Sequence, residues 1–374
     1  MPLYIGRLSR ALDVEGEIAP ACSFFCTDNP APFIMMTILF EELSESQRLG
    51  GIEAVTQELI RHLGAIGVNV VRSSEAQAQE TPDCVHFHGI WSPHLARRFL
   101  TWWRLGVPCV VTPHGMLEPW ALRHKRVKKW IAWHTYQRCL LNRAAALHGT
   151  SEHEVQQFSK LGLKSPAMML PWGVSLPPRR SLPTENTRMR TALFVGRIYP
   201  VKGLPMLVEA WGRVRPSGWR LKIVGPDEAG HRAEVEMAVA KAGIADFVDF
   251  AGELTGVAKD DAFARADLLV LPSFTENFGM VVAEALAHSL PVLTTKGTPW
   301  SVLPEQECGW WVDPSVEALA TALETATRLE NDVLCGMGQR GRALVAKQYS
   351  WEHVAITLKQ FYLSLRRVAL DECF

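Results

Sequence analysis

Two hydrophobic rhythms alternate along this chain. "GGIEAVTQELIRHLGAIG" places Ile52, Val55, Leu59, Leu63 and Ile66 at steps of three and four, which predicts an amphipathic helix. "VNVVRS", directly after it, reads as a strand. Further short buried strands are expected at "MTILFEEL" from Met36, at "DCVHFHG", at "PCVVTPHG" and at "AALHGTS", with helical stretches between them. Strands that alternate with helices predict a parallel sheet in an α/β layer fold.

The alternation stops at residues 171–188, "PWGVSLPPRRSLPTENTR", where proline and polar residues follow no period. It resumes with strand "ALFVGR", helix "PMLVEAWGRV", strand "RLKIVG", helix "RAEVEMAVAKAG", and strands "FVDFAG", "ADLLVLPS" and "PVLTTKG". Two Rossmann-like domains are therefore expected, residues 36–172 and 190–348, joined by a linker at 173–189. They face each other across a cleft, the default place for a ligand at the carboxyl ends of the strands. Residues 1–35 have weak periodicity and read as an N-terminal appendage or the product of an upstream start codon, the folded unit starting near Met36. At the other end, in residues 349–374, "YSWEHVAITLKQFYLSLRRV" predicts a helix with Trp351, Val354, Ile356, Leu358, Phe361 and Leu365 on one stripe.

Composition narrows the function classes. With 374 residues, 48% hydrophobic and 21% charged, the chain has room for two cores. Its 39 basic and 39 acidic residues cancel, so no global field points to nucleic acid. Eight scattered cysteines without a C-x-x-C suggest reduced thiols rather than a disulfide framework or zinc site. No apolar run approaches the roughly 18 to 20 residues of a membrane span, and the start lacks the layout of a signal peptide. A cytoplasmic protein is expected.

Four motifs bear on chemistry. "GMGQRG" (Gly336, Gly338, Gly341) fits a dinucleotide fingerprint but follows a helical stretch instead of a strand, so it reads as a surface helix break. His86 and His88 in "CVHFHG" are expected to face opposite sides of their strand, one bordering the cleft and one packed, offering no two-ligand metal face. In "VGRIYPVKGL" a strand ends at Gly196, and Arg197 and Lys202 precede a helix opening at Leu204 or Pro205, an arrangement suited to a diphosphate. "TENFGMVVAEALA" spaces Glu276 and Glu284 around the first turn of a helix. Its amides at Phe278, Gly279, Met280 and Val281 would serve a phosphate, while a carboxylate on either side accepts from sugar hydroxyls. A nucleotide sugar needs that order of groups.

"VGRIYPVKGL", "LPSFTENFGMVVAEALAHSLPVLTTKGTPW" and "YSWEHVA" together resemble the retaining glycosyltransferases of family 4, most strongly over residues 190–315. The resemblance implies the two-domain GT-B fold, with the C-terminal helix returning to brace the N-terminal domain. It implies that Glu276 contacts the transferred sugar, Glu284 the ribose, and Arg197 and Lys202 the diphosphate. Gly50 and Gly51 would let backbone approach the phosphate from the first domain, and His114, in "HG", matches the family's active-site histidine. No D-x-D is present, which fits a metal-independent enzyme needing no cofactor besides its nucleoside diphosphate sugar donor. A nucleotide-sugar epimerase of the same architecture and an inactive nucleotide-sugar-binding protein stay open as alternatives.

The acceptor side carries its own signal. Residues 119–151 hold no acid but seven Lys or Arg, five of them clustered as Arg123, Lys125, Arg126, Lys128 and Lys129. On a helical wheel these oppose Val127, Trp130, Ile131 and Leu141, with Trp133 near the border, the layout of an interfacial helix on anionic lipid. With the family likeness, this predicts a peripheral enzyme of bacterial polysaccharide or lipopolysaccharide assembly, acting on a saccharide or lipid-linked saccharide at the inner face of the cell membrane.

Overall fold

A computed structural model describes residues 36–43, 50–74, 81–178 and 189–371. The N-terminal appendage at 1–35 lies outside the described residues, as do residues 179–188 of the expected linker.

The first half builds strands β1 (Met36–Glu42), β2 (Val68–Arg72), β3 (Cys84–His88), β4 (Cys109–Thr112), β5 (Ala146–Gly149) and β6 (Ala167–Met169). Its helices are α1 (Gly50–Ala65), α2 (Pro93–Arg104), α3 (Pro119–Arg123), α4 (Arg126–Ala132), α5 (Arg138–Leu141) and α6 (Glu152–Lys160). The second half builds β7 (Arg190–Val195), β8 (Trp219–Val224), β9 (Val248–Gly252), β10 (Leu268–Leu271), β11 (Val292–Thr295) and β12 (Gly309–Val312). Around them lie α7 (Leu204–Val214), α8 (His231–Ala242), α9 (Gly256–Arg265), α10 (Met280–Ala287), α11 (Val302–Glu305), α12 (Val316–Arg328), α13 (Asn331–Gln348) and α14 (Trp351–Asp371).

The strands form two six-stranded sheets, ordered β2-β1-β3-β4-β5-β6 and β12-β11-β10-β7-β8-β9. Their pairings are parallel. Parallel sheets are covered on both faces, and β3, β4, β5, β10 and β11 are accordingly buried at every position. These are the two Rossmann-like domains of a GT-B fold. In each sheet the order reverses once, between β1 and β3 and between β10 and β7, and those reversals are where such sheets hold ligands.

Helix α14 crosses back to the first domain. Trp351, Val354, Ala355, Leu358 and Tyr362 pack with Met36, Ile38 and Phe40 of β1 and with Val55, Leu59 and Leu63 of α1. Ile356, expected on this stripe, is exposed, and Ala355 and Tyr362 take the inward places, as the i, i+4, i+7, i+11 steps from Trp351 require.

Two local expectations are corrected. "GMGQRG" is no surface break but runs inside the continuous α13. A Cβ on Gly338 would lie 1.8 Å from the Ser289 carbonyl oxygen and one on Gly341 2.5 Å from Leu286, so both glycines let α13 close on α10 and the turn after it. The basic run is also not one helix. Lys125 takes a left-handed conformation between α3 and α4, and a π-helical turn at Trp133–Gln137 separates α4 from α5. Leu141 is fully buried, whereas Val127, Trp130 and Ile131 are 72%, 61% and 50% exposed, so α4 alone presents the apolar face.

Candidate active site

The second domain gathers charge at the ends of β7 and β10. After β7 the chain passes Arg197 and a 3-10 turn, Pro200–Lys202, before α7 opens at Leu204. Gly203 must be left-handed there (φ 67°), and any Cβ would lie 2.3 Å from the Pro272 carbonyl oxygen, so this glycine sets the turn directly against the end of β10. Lys202 Nζ consequently donates to Glu276 Oε1 at 2.5 Å, and Ser273 Oγ donates to the same oxygen at 2.7 Å. Arg197 is instead paired with Glu228. The two cations expected to converge are thus held by separate carboxylates.

Glu284 sits within α10, where Lys259 Nζ donates to its Oε1 at 2.8 Å. Its Oε2 is buried with no hydrogen-bond partner among the described residues, an acceptor open to a ligand hydroxyl. α10 begins at Met280 behind the left-handed Gly279. Phe278 therefore precedes the helix instead of forming its first turn. Its ring lies tilted against those of Trp300 and Tyr349, and its carbonyl accepts from Trp300 Nε1 at 2.7 Å.

Two cavities flank this region, each shared by both domains. One of about 400 Å³ is lined by Glu284, Lys259 and Phe263 together with Ala54 and Glu58 of α1. The other, of about 520 Å³, is lined by Glu276, Lys296 and Trp311 together with Thr150 and His153 of the first domain. The two glutamates thus open onto different cavities, and Arg197 and Lys202 line neither. Gly50 and Gly51 form the first turn of α1, ahead of Ala54 and Glu58.

The first domain contributes His114. It follows β4 with a left-handed backbone (φ 55°), unusual for a side chain larger than glycine, and stacks on Trp172 at 5.3 Å. His88 and His114 approach through Nδ1 and Nε2 at 3.2 Å. Burial and the neighbouring His148 hold the His114 pKa down at about 3, so its ring is neutral.

His86 and His88 share a face, contrary to the expectation that they oppose each other. Side chains alternate along a strand with period two, so positions i and i+2 point the same way, and these rings lie 4.3 Å apart. His86 bonds Tyr362 Oη and Thr112 Oγ1, each at 2.6 Å, and Thr112 reaches His148 at 3.0 Å. No group of three metal-binding side chains occurs among the described residues.

Asn277 joins the two halves, its Nδ2 donating to Thr150 Oγ1 at 2.8 Å. Sequence reading does not reach Asn277, Thr150, Glu154, Lys259 and Glu228, each of which has at least one partner 25 or more positions away.

The comparisons with known proteins agree with this architecture. Residues 70–173 match the family model described as glycosyl transferase 4-like domain, and residues 189–328 the one described as glycosyl transferases group 1. The D-inositol 3-phosphate glycosyltransferase of Actinosynnema mirum is 27% identical over 353 residues, covering 85% of this chain and 81% of that protein. The fold resembles the sucrose-phosphate synthase of Thermosynechococcus elongatus, with TM-score 0.70 and 19% identity over 89% of this chain and all of that one. It also resembles Anabaena HepE in complex with UDP and glucose, with TM-score 0.68 and 16% identity over 88% of this chain and all of that one.

Proposed function

We propose that this chain, a glycosyltransferase of GT-B architecture, transfers a sugar from a nucleoside diphosphate sugar to a saccharide acceptor with retention at the anomeric carbon. The observation that carries this reading is the Lys202–Glu276 pair at the reversal of the second sheet, one residue from the Asn277 bond to the first domain. Each candidate charge is already matched, Lys202 by Glu276, Arg197 by Glu228 and Glu284 by Lys259. An arriving donor exchanges these partners for its own. Lys202 and Arg197 turn to the diphosphate, Glu276 is released to the hydroxyls of the transferred sugar, and Glu284 Oε2 takes a ribose hydroxyl.

The bond between the anomeric carbon and the diphosphate oxygen breaks with its electron pair on the departing phosphate. The acceptor oxygen bonds to the same face, and its proton passes to the departing phosphate oxygen. Two cations and the amides of Gly279, Met280 and Val281 stabilise that leaving group, with Gly50 and Gly51 approaching it from α1. No metal ion or other cofactor is required. Neutral His114 serves as a hydrogen-bond partner of the sugar rather than as a cation.

The acceptor is a saccharide carried by a lipid, and the setting is surface polysaccharide or lipopolysaccharide assembly. Support comes from α4, whose exposed Val127, Trp130 and Ile131 lie beside Arg123, Lys125, Arg126 and Lys128. A cavity of about 410 Å³ lined by Trp91, Trp130, Trp133, Arg123, Arg126 and Lys129 adjoins that face and suits an anionic group on an apolar stem. Among the described residues no helix is long and apolar enough to cross a membrane, so contact through this face is peripheral.

Radiolabelled nucleotide sugars offered with lipid-linked saccharides test the reaction: a new glycoside with a retained anomer is expected, and donor turnover without glycoside would refute it. Vesicle co-sedimentation tests the surface. Binding is expected to need anionic lipid and to weaken when Lys125, Arg126 and Lys128 become serine, and equal recovery on neutral vesicles would leave a soluble acceptor.

A further inference from the structure

Glu154 is a carboxylate without solvent and without a cation. It lies in the first turn of α6 at 0% exposure, and no ion-pair partner stands against it among the described residues. Gly115 and Thr150 hold it through three bonds, and the Asn277 side chain bonds it as well. The Gly115 amide donates to Oε1 at 2.6 Å, and the Thr150 amide and hydroxyl donate to Oε2 at 2.9 and 3.0 Å. Burying a charge is costly, and an apolar side chain would seal this space at lower cost, so the carboxylate needs a reason beyond packing.

Its partners supply one. Gly115 follows His114, and the Thr150 hydroxyl that donates to Glu154 accepts from Asn277, the residue after Glu276. The chain of bonds runs from the His114 loop through Glu154 and Thr150 to the Glu276 loop of the second domain. The approach is also close in space, since a Cβ on Gly115 would sit 3.1 Å from Asn277 Cβ.

We propose that Glu154 is a positioning residue that fixes the His114 loop of the first domain against the Glu276–Asn277 loop of the second. Acceptance from Gly115, Thr150 and Asn277 makes the two loops one unit, so the sugar-facing groups of both domains arrive in a single register. The donor itself is held by Arg197, Lys202 and Glu284, none of which touches Glu154. Loss of Glu154 therefore disturbs the reacting arrangement and leaves donor binding intact.

The inference rests on the glycosyl-transfer reading for its kinetic arm, and hydrogen exchange on the protein alone provides a separate arm. E154Q turns one accepting oxygen into a donor. Mass spectrometry should show amide exchange about tenfold faster in peptides containing Gly115 and in those containing Glu276, whose amide donates to the Gly297 carbonyl at 2.8 Å. Turnover should fall about tenfold or more while the donor KM stays within about twofold, with E154D recovering part of the loss. N277A should reproduce the turnover loss and leave exchange at Gly115 unchanged. Faster exchange at Gly115 alone, with turnover intact, overturns the proposal and leaves Glu154 as a local brace. If E154Q does not fold, T150V decides, because it keeps the Thr150 amide bond and removes the hydroxyl link: unaltered turnover in T150V and N277A overturns the proposal. Should no donor and acceptor turn over in the unaltered protein, the transfer reading fails, and exchange at Glu276 still decides the coupling.

Discussion

The two domains treat ionisable groups in opposite ways. Beneath the first sheet's ligand edge, His86, His88 and His148 are completely buried, and Glu41, Glu118 and Glu154 are nearly or wholly so. The second domain has no ionisable side chain on β10 or β11 and places its charges beyond the strand ends and on α10, where Arg197, Lys202, Glu276 and Glu284 keep some exposure and are paired. Burial keeps the three histidines neutral, Glu41 is held by Arg98 and Trp102, and Glu154 is held by Gly115 and Thr150, which makes this region sensitive to acid. Paired, partly wet charges can change partners at modest cost. The first domain is therefore built to hold a shape, and the second to exchange contacts with a charged ligand.

The sharpest way to break this contrast is to remove the first domain's support. Deletion from Ser350 strips Trp351, Val354, Ala355, Leu358 and Tyr362 from the core of β1 and α1. At about 2–5 kcal/mol for each large side chain lost, the first domain should not fold, and calorimetry should record no cooperative melt from it. A truncated protein with the native melting curve would contradict the shared core.

Next in size come charges of the second domain. K202A should lower turnover by about 10²-fold without lowering the melting temperature, since only a partly exposed pair is lost. E276Q should lose most turnover and keep nucleotide affinity. Equal losses of affinity and turnover in E276Q would mean that this carboxylate anchors the donor rather than the reacting sugar.

Acid separates the domains in a smaller, graded way. Burial depresses His86 and His88, and it holds His148 at about 4 and His114 at about 3, against an ordinary value of 6.5. A depressed histidine stays neutral in the fold while the unfolded chain takes up protons, so stability falls as pH drops below about 6.5 and continues to fall to about 4. Each of His114 and His148 contributes roughly 1.4 kcal/mol per pH unit in that window. Glu154, raised by burial, acts with the opposite sign and offsets part of this. Urea titrations at pH 7 and pH 5 should show the loss, and H148N should flatten it. A stability independent of pH across that interval would mean that these rings are hydrated.

The smallest change is Y362F. It removes one hydrogen bond to His86, for about 1 kcal/mol, with no effect on turnover.

What could be read in advance follows the same division. The strand ends of the second domain carry local signals, an Arg and a Lys after one strand and two glutamates eight apart after another, and the structure brings Lys202 and Glu276 into contact. The first domain's network was hidden because its bonds join residues such as His86 and Tyr362, 276 positions apart. The pairing of His86 and His88 is legible, since a period of two puts both on one face of β3, against the expectation that they oppose each other. The division of the basic run was not legible, because a left-handed Lys125 leaves no mark in residue type.

The chain passes between the domains twice, once out through Gly173 and Val174 and once back through Tyr349 and Ser350. These passages touch: the Val174 amide donates to the Tyr349 carbonyl at 2.8 Å, Val174 forms a parallel bridge with Ser350, and Gly173 leaves Trp351 room beside it. Two tethers fastened together at one place act as a door's pivot. Both crossings meet there, so any movement of one lobe against the other keeps Val174 and Ser350 together as its fixed point. Away from that point the lobes are joined a second time, where Asn277 bonds Thr150.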